Sequence, residues 1–185
     1  MKAAVVTVSD RSFRGERPDV SGPVLKALLE GVGAEVEEAA VVPDDPALIA
    51  PLLIRLVDER GCELVFTTGG TGLSPRDTTP EATAQVIEKR LPAMEEAIRQ
   101  ESLKKTPFAM LSRGIVGVRA RALIVNLPGS PKAVEECFAV VQPVLDHAVK
   151  LLRDEDPYRS PAHLPAPNPQ RLAAQPAGRA KSCHP

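Results

Sequence analysis

The segment Thr67-Thr68-Gly69-Gly70-Thr71-Gly72-Leu73-Ser74-Pro75-Arg76-Asp77-Thr78-Thr79-Pro80 gathers three glycines, five threonines and an aspartate in fourteen residues. Glycines without Cβ let the backbone approach a ligand closely and take positive φ. Consecutive amides in that geometry, beside threonine hydroxyls, form a concavity suited to phosphate or another anion. The pattern is neither a Walker A loop, having no Gly-Lys-Ser/Thr, nor a dinucleotide GxGxxG, because Gly70-x-Gly72 runs on to Pro75. A tight strand-to-loop turn would use the same glycines, but their density directly after an apolar run favours ligand binding.

Asp77 either caps a helix starting at Pro80 or points its carboxylate at a ligand. Asp44 and Asp45 pose the same choice before Pro46. A cap needs one such residue, and surplus carboxylates near a phosphate-type loop suit Mg2+, which takes one or two carboxylates plus substrate phosphates. Asn126-Leu127-Pro128-Gly129-Ser130-Pro131-Lys132 places Gly129 and Ser130 at an expected helix start, where amides and the helix dipole favour an anion. Ser112-Arg113-Gly114 reads by default as a turn. His147, His163 and His184 lie far from every glycine loop, which disfavours Ser-His-Asp, Cys-His and histidine-metal chemistry. Phosphoryl or nucleotidyl transfer works by positioning and charge stabilisation and needs no histidine.

These residues require elements to hold them. Residues 2–8 and 63–67 are apolar, β-branched runs that predict buried strands, 35–42 reads as another strand, and 115–126 predicts two more joined by a tight connection. Helical spacing predicts helices from Pro23 to about 32, over about 46–59, 80–90 and 93–103, and over about 131–153 with a kink at Pro143. Residues 9–22 read as a polar loop. The alternation predicts an α/β fold, a three-layer sandwich with a largely parallel sheet, in which ligands sit beyond the carboxyl ends of the strands. Three loops, 7–15, 67–79 and 126–132, are then expected on one edge, bringing Ser9 and Asp10 to the glycine loop.

The 185 residues divide unevenly. Seven of the 19 prolines lie in 157–185, with four basic and no acidic residues, so residues 1–156 carry about five net negative charges. We expect a domain over 1–156 and a proline-rich basic tail over 157–185, linker-like or extended. Basic residues without interleaved aromatics disfavour a nucleic-acid partner. No apolar run approaches membrane-spanning length. Cys62, Cys137 and Cys183 are odd in number and contain no CxxC, which points to a reducing compartment. With a strand at the very N-terminus, a cytoplasmic location is expected.

The segments TVSDR, Asp19 with Ser21-Gly22, VVPDD, TTGGTGLSPRDTTPEA, MLSR and LIVNLPGSPKA follow in unbroken order from about residue 3 to 153. They resemble the MogA/MoaB family of molybdenum-cofactor biosynthesis proteins, including the gephyrin G domain. The resemblance implies a sheet with one antiparallel strand, usual assembly as a homotrimer, and adenylation of molybdopterin by ATP and Mg2+ with release of pyrophosphate. It implies Asp44 and Asp77 as the essential, Mg2+-holding aspartates. It also implies a pterin and nucleotide-phosphate cradle at Thr68, Gly69, Gly70, Thr71 and Gly72. Ser9, Asp10, Ser112, Asn126, Pro128, Gly129 and Ser130 line the same pocket in that reading. A molybdenum-insertion enzyme is the implied partner. The alternative is a non-catalytic MoaB-type pterin- or nucleotide-binding module or scaffold. With one Tyr, four Phe and no Trp, recognition of a pterin should lean on backbone and hydroxyl groups.

Overall fold

Strands β1 (Lys2–Val8), β2 (Glu35–Val42), β3 (Leu64–Thr68), β4 (Lys89–Arg90), β5 (Val116–Arg119) and β6 (Ala122–Leu127) form one sheet in the order β2-β1-β3-β6-β5-β4. The structure is a computed structural model that describes residues 1–155, and the expected tail over 157–185 lies outside the described residues. The pairs β1–β2, β1–β3 and β3–β6 are parallel, whereas β5 runs antiparallel to both neighbours. This is the expected three-layer α/β arrangement with one reversed strand.

Alternate side chains of the inner strands feed two cores. Ala3, Val5, Leu64 and Phe66 meet Leu25 and Leu29 of α2 (Ser21–Gly31) and Phe138, Val141 and Leu145 of α6 (Pro131–Leu152). Ala4, Val6 and Val65 face the other way, onto Ile49, Leu53 and Leu56 of α3 (Pro46–Asp58) and Ala82 and Val86 of α4 (Thr79–Val86). Helix α5 (Pro92–Leu103) adds Met94 and Ile98 to the first core. The chain leaves β1 for β2 and returns to β3 on the other side of β1. Right-handed crossovers then place α2 and α3 on opposite faces and open a crevice beyond the ends of β1 and β3.

The register sets that edge level. Val8 pairs with Val42, Thr7 with Thr68, and Thr68 with Leu127. The loops after β1, β3 and β6 therefore start side by side, as their composition suggested, and the loop after β2 joins them.

Several local expectations give way to longer-range forces. The loop over 9–22 contains a short helix, α1 (Asp10–Phe13), capped by the Ser9 hydroxyl accepting from the Ser12 amide at 3.2 Å. Helix α2 begins at Ser21 rather than Pro23, with Asp19 accepting from the Gly22 amide at 3.0 Å. The helix expected over 80–90 stops at Val86, because the Glu88 and Leu91 amides donate to Val118 and Val116 carbonyls at 2.7 and 2.8 Å and extend the sheet edge as β4. Pro107–Leu111 forms a 3-10 turn that the polar pattern did not signal. Helix α6 continues through Pro143, which sits on the solvent face, where water can satisfy the carbonyl freed one turn earlier.

Phe138 is 1% exposed and packs against Phe66 with ring centroids 5.6 Å apart and planes tilted by 50°. Phe138→Ala is expected to destabilise the fold by ~3–5 kcal/mol through the cavity it leaves. Urea denaturation checks this as a lower midpoint at an unchanged slope.

Candidate active site

The turn after β3 is fixed by bonds that reach two other segments, the end of β6 and the start of α4. The Gly69 amide donates to the Leu127 carbonyl at 3.1 Å, and the Thr68 hydroxyl donates to the Pro128 carbonyl at 2.8 Å. The Thr79 hydroxyl donates to the Gly69 carbonyl at 2.9 Å, and its amide to the Gly70 carbonyl at 3.1 Å. Gly69 has φ +99°, and a Cβ there would fall 2.3 Å from the Val8 carbonyl oxygen. Gly129 crosses just above, where a Cβ would stand 3.2 Å from the Gly69 Cα. Only glycines allow these backbones to meet.

Beneath the turn, Asn126 is buried and donates to the Thr67 and Thr83 hydroxyls at 3.0 and 2.9 Å while accepting from the Ile115 amide at 3.3 Å. Its polar atoms are engaged in holding β3, α4 and β5 together. Ser9 and Ser130 likewise use their hydroxyls as helix caps, Ser130 accepting from the Ala133 amide at 3.2 Å.

The structure shows which residues cap the two helices. Asp45 caps α3 by accepting from the Ala47 amide at 2.9 Å, which leaves Asp44 for another task. Asp44 accepts from the Asp10 amide at 2.9 Å, and its own amide donates to the Asp10 carboxylate at 3.1 Å. The N-cap of α4 is Thr78, so Asp77 is not its cap; Asp77 accepts instead from the Ser74 amide at 2.9 Å. The two carboxylates flank the glycine turn at successive positions. A Cβ at Gly70 would lie 3.0 Å from Asp44 Oδ1, and one at Gly72 would lie 2.8 Å from Asp77 Oδ2. Arg76 reaches Asp10 Oδ2 at 3.5 Å.

Burial pushes the Asp44 carboxyl above its ordinary range. The Asp10 amide opposes that shift, the carboxylates of Asp10 and Asp77 add to it, and Arg76 offsets it slightly. Among the described residues no three His, Cys, Asp or Glu side chains gather as a ready metal cage. Hard oxygen donors in ones and twos, with crowded negative charge, nonetheless fit Mg2+ that draws its other ligands from phosphates and water.

Two cavities open on either side of the turn. One, of about 340 Å³, is lined by Ser9, Thr68, Gly69, Gly129 and Ser130, together with Arg17 and Asp19. The other, of about 260 Å³, is lined by Thr71, Gly72, Ser112, Asn126 and Pro128, with Ile98, Phe108 and Leu111 completing its wall. Ser9, Thr68, Gly69, Gly129 and Ser130 thus fall to one cavity and Thr71, Gly72, Ser112, Asn126 and Pro128 to the other, while the Asp44 and Asp77 carboxylates lie against the backbone of Gly70 and Gly72 in the turn between those two sets.

Two residues without an assigned role prove central. Asp19 accepts from the Thr7 hydroxyl at 2.7 Å and so ties the first loop to β1. Arg113, read as part of a turn, sends its side chain to the Gly72 and Asp77 carbonyls and the Glu81 carboxylate. Its place in the MLSR segment was the one available signal.

A mostly parallel sheet whose carboxyl edge carries a glycine turn, paired cavities and crowded carboxylates defines an α/β protein built for a phosphate-bearing ligand. Residues 4–147 match the family described as "Probable molybdopterin binding domain", and the chain belongs to that family. It is 43% identical over 150 residues to the molybdopterin adenylyltransferase of Helicobacter pylori J99, covering 80% of this chain and 85% of that protein. It is also 43% identical over 152 residues to the molybdenum cofactor synthesis protein cinnamon of Drosophila melanogaster. That match covers 82% of this chain but only 25% of the fly protein. The solved structure of the molybdopterin biosynthesis enzyme MoaB from Thermus thermophilus superposes with a TM-score of 0.78 at 46% identity, over 83% of this chain and 96% of that one.

The raised Asp44 pKa carries a sign that can be checked. A carboxyl whose folded pKa lies above its unfolded value stabilises the fold when protonated and loses that contribution as pH rises through the folded pKa. Asp44→Asn, which stays neutral and can still accept from the Asp10 amide, is expected to melt higher than the parent at pH 7. The gap should close as pH falls below about 4, where aspartate protonates in the unfolded chain too. Melting curves of both proteins across pH 3 to 8, on the order of the span in which carboxylates titrate, measure it.

Proposed function

We propose that the protein adenylates molybdopterin with ATP in a Mg2+-dependent reaction, giving adenylyl-molybdopterin and pyrophosphate. The observation that carries this reading is the placement of Asp44 and Asp77 on the backbone of a glycine turn whose two ends line separate cavities. Two cavities suit two substrates, and carboxylates against the glycine turn between them suit phosphates brought there to react. The names of the relatives support the same activity.

In this reading the terminal phosphate of molybdopterin attacks the α-phosphorus of ATP in line. A new P–O bond forms, the bond to the β-phosphate breaks, and pyrophosphate leaves with the electron pair. Asp44 and Asp77 would hold Mg2+, which when bound neutralises charge on the triphosphate. The Gly69 amide is engaged by Leu127, so the amides that follow it, of Gly70, Thr71 and Gly72, face the phosphates. Gly129 and Ser130 present the start of α6, where the helix dipole favours an anion. Ser9, Asp10, Thr68, Ser112, Asn126 and Pro128 shape the two compartments. The reading assigns the reaction to residues 1–156 and none of it to 157–185.

Among the described residues no helix is long and apolar enough to cross a membrane. We place the enzyme in the cytoplasm as a homotrimer that passes its product to a molybdenum-insertion enzyme. Phe108 and Met110, 76% and 66% exposed, supply apolar surface for association.

Asp77→Asn is expected to lower kcat by on the order of 10²- to 10³-fold, the range for losing one preorganised charge-stabilising group, with molybdopterin binding retained. Pyrophosphate release from ATP in the presence of molybdopterin and Mg2+ is the assay. Turnover in the variant equal to the parent would remove Asp77 from the mechanism. Binding of both ligands by the parent without pyrophosphate release would favour the non-catalytic module instead.

A further inference from the structure

Asp77 sits at the end of a loop, residues 72–77, in which Leu73, Ser74, Pro75 and Arg76 are exposed. Inside the loop its support is slight: the Asp77 amide donates to the Ser74 carbonyl at 2.8 Å, and the Ser74 amide returns a bond to the carboxylate. What closes the loop comes from elsewhere in the chain. Arg113 Nε donates to the Gly72 carbonyl at 2.7 Å and Nη2 to the Asp77 carbonyl at 2.6 Å, so one planar group ties both ends. Nη1 pairs with Glu81 in the first turn of α4, and the Arg113 amide donates to the Thr71 carbonyl at 2.9 Å.

We propose that Arg113 is the positioning residue for Asp77, holding the 72–77 loop shut so that the carboxylate stays over Gly72. The proposal rests on the adenylation reading for its consequence and on the geometry for its cause. A guanidinium presents its donors in a rigid fork, whereas a lysine ammonium is a single compact charge on a flexible stem. Lysine therefore keeps the charge but cannot bridge Gly72, Asp77 and Glu81 together. Arg113 also lies between Ser112 and Gly114, both of which line the cavity of about 260 Å³. The segment that touches a ligand in that cavity is thus the one that sets Asp77.

The test compares the full-length parent with Arg113→Lys by amide hydrogen exchange and by pyrophosphate release. The expected result is exchange about 10-fold faster at residues 72–77, with β6 unchanged. With it, kcat should fall about 10- to 100-fold while KM for ATP stays within about 3-fold. Glu81→Gln removes one partner of the fork and should move both readouts the same way by less, which keeps the question decidable if Arg113→Lys folds poorly. Parent-like exchange at 72–77 overturns the proposal, as does faster exchange with unchanged kcat, or acceleration that spreads equally into β6. A parent that releases no pyrophosphate overturns the adenylation reading, and the exchange of residues 72–77 then decides on Arg113 alone.

Discussion

The contact on which the molecule depends is the crossing of backbones at Gly69. There the end of β3 passes within reach of the Val8 carbonyl, donates to Leu127 and lies under Gly129. A single methyl group at Gly69 would occupy the space of the Val8 oxygen, so either the turn or the level register of β1, β3 and β6 would have to shift. Because neither shifts, the floor of the site is main chain. Amides and carbonyls held by sheet hydrogen bonds do not reorganise when charge develops above them, which is the condition for electrostatic stabilisation of a transferring phosphoryl group.

The same crossing explains why the acids are where they are. Gly70 and Gly72 lack the side chains that would displace Asp44 and Asp77, so both carboxylates lie against the backbone rather than in open water. Asp10 joins them through its paired bonds with Asp44. Burial of the Asp44 carboxylate, with the charges of Asp10 and Asp77 adding to it, works against the folded state at neutral pH. The structure tolerates that arrangement because the sheet and two cores over-determine the loops, a common way for strain to persist at functional sites.

Much of this was legible from residue type. Buried parallel strands announce themselves as unbroken β-branched runs, and the glycine cluster after β3 marked the turn that needs close approach. The surplus aspartate in Asp44-Asp45 was readable as well, since a helix start can use only one cap and Asp45 took it. What escaped the sequence is what depends on partners distant in the chain. Lys89–Arg90 became strand because β5 offered carbonyls and because Arg90 forks onto buried Glu95. Helix α1 is one turn long and draws on its Ser9 cap rather than on periodicity. Arg113 lies between a 3-10 turn and a strand, where no spacing rule reports which loop a side chain will cross to, 41 positions away at Gly72.

The scarcity of aromatic residues takes on a different meaning once they are placed. Among the described residues Phe66 and Phe138 are committed to the core and Phe13 is exposed on α1, which leaves Phe108 as the aromatic ring on the wall of the smaller cavity. Ile98, Leu111 and Ala133 add apolar surface to that wall, Ser112 and Thr71 bring hydroxyls, and Glu95, Arg99 and Glu136 bring charge. The larger cavity carries no ring among the described residues and is framed by serines, threonines, glycine backbone, Arg17 and the Asp19 carboxylate. A flat heterocycle gains apolar contact in the first compartment, and a phosphate gains hydrogen-bond donors in the second. The Gly69–Gly72 turn contributes Gly69 to the second compartment and Gly72 to the first, and the Asp44 carboxylate lies against the Gly70 backbone between them.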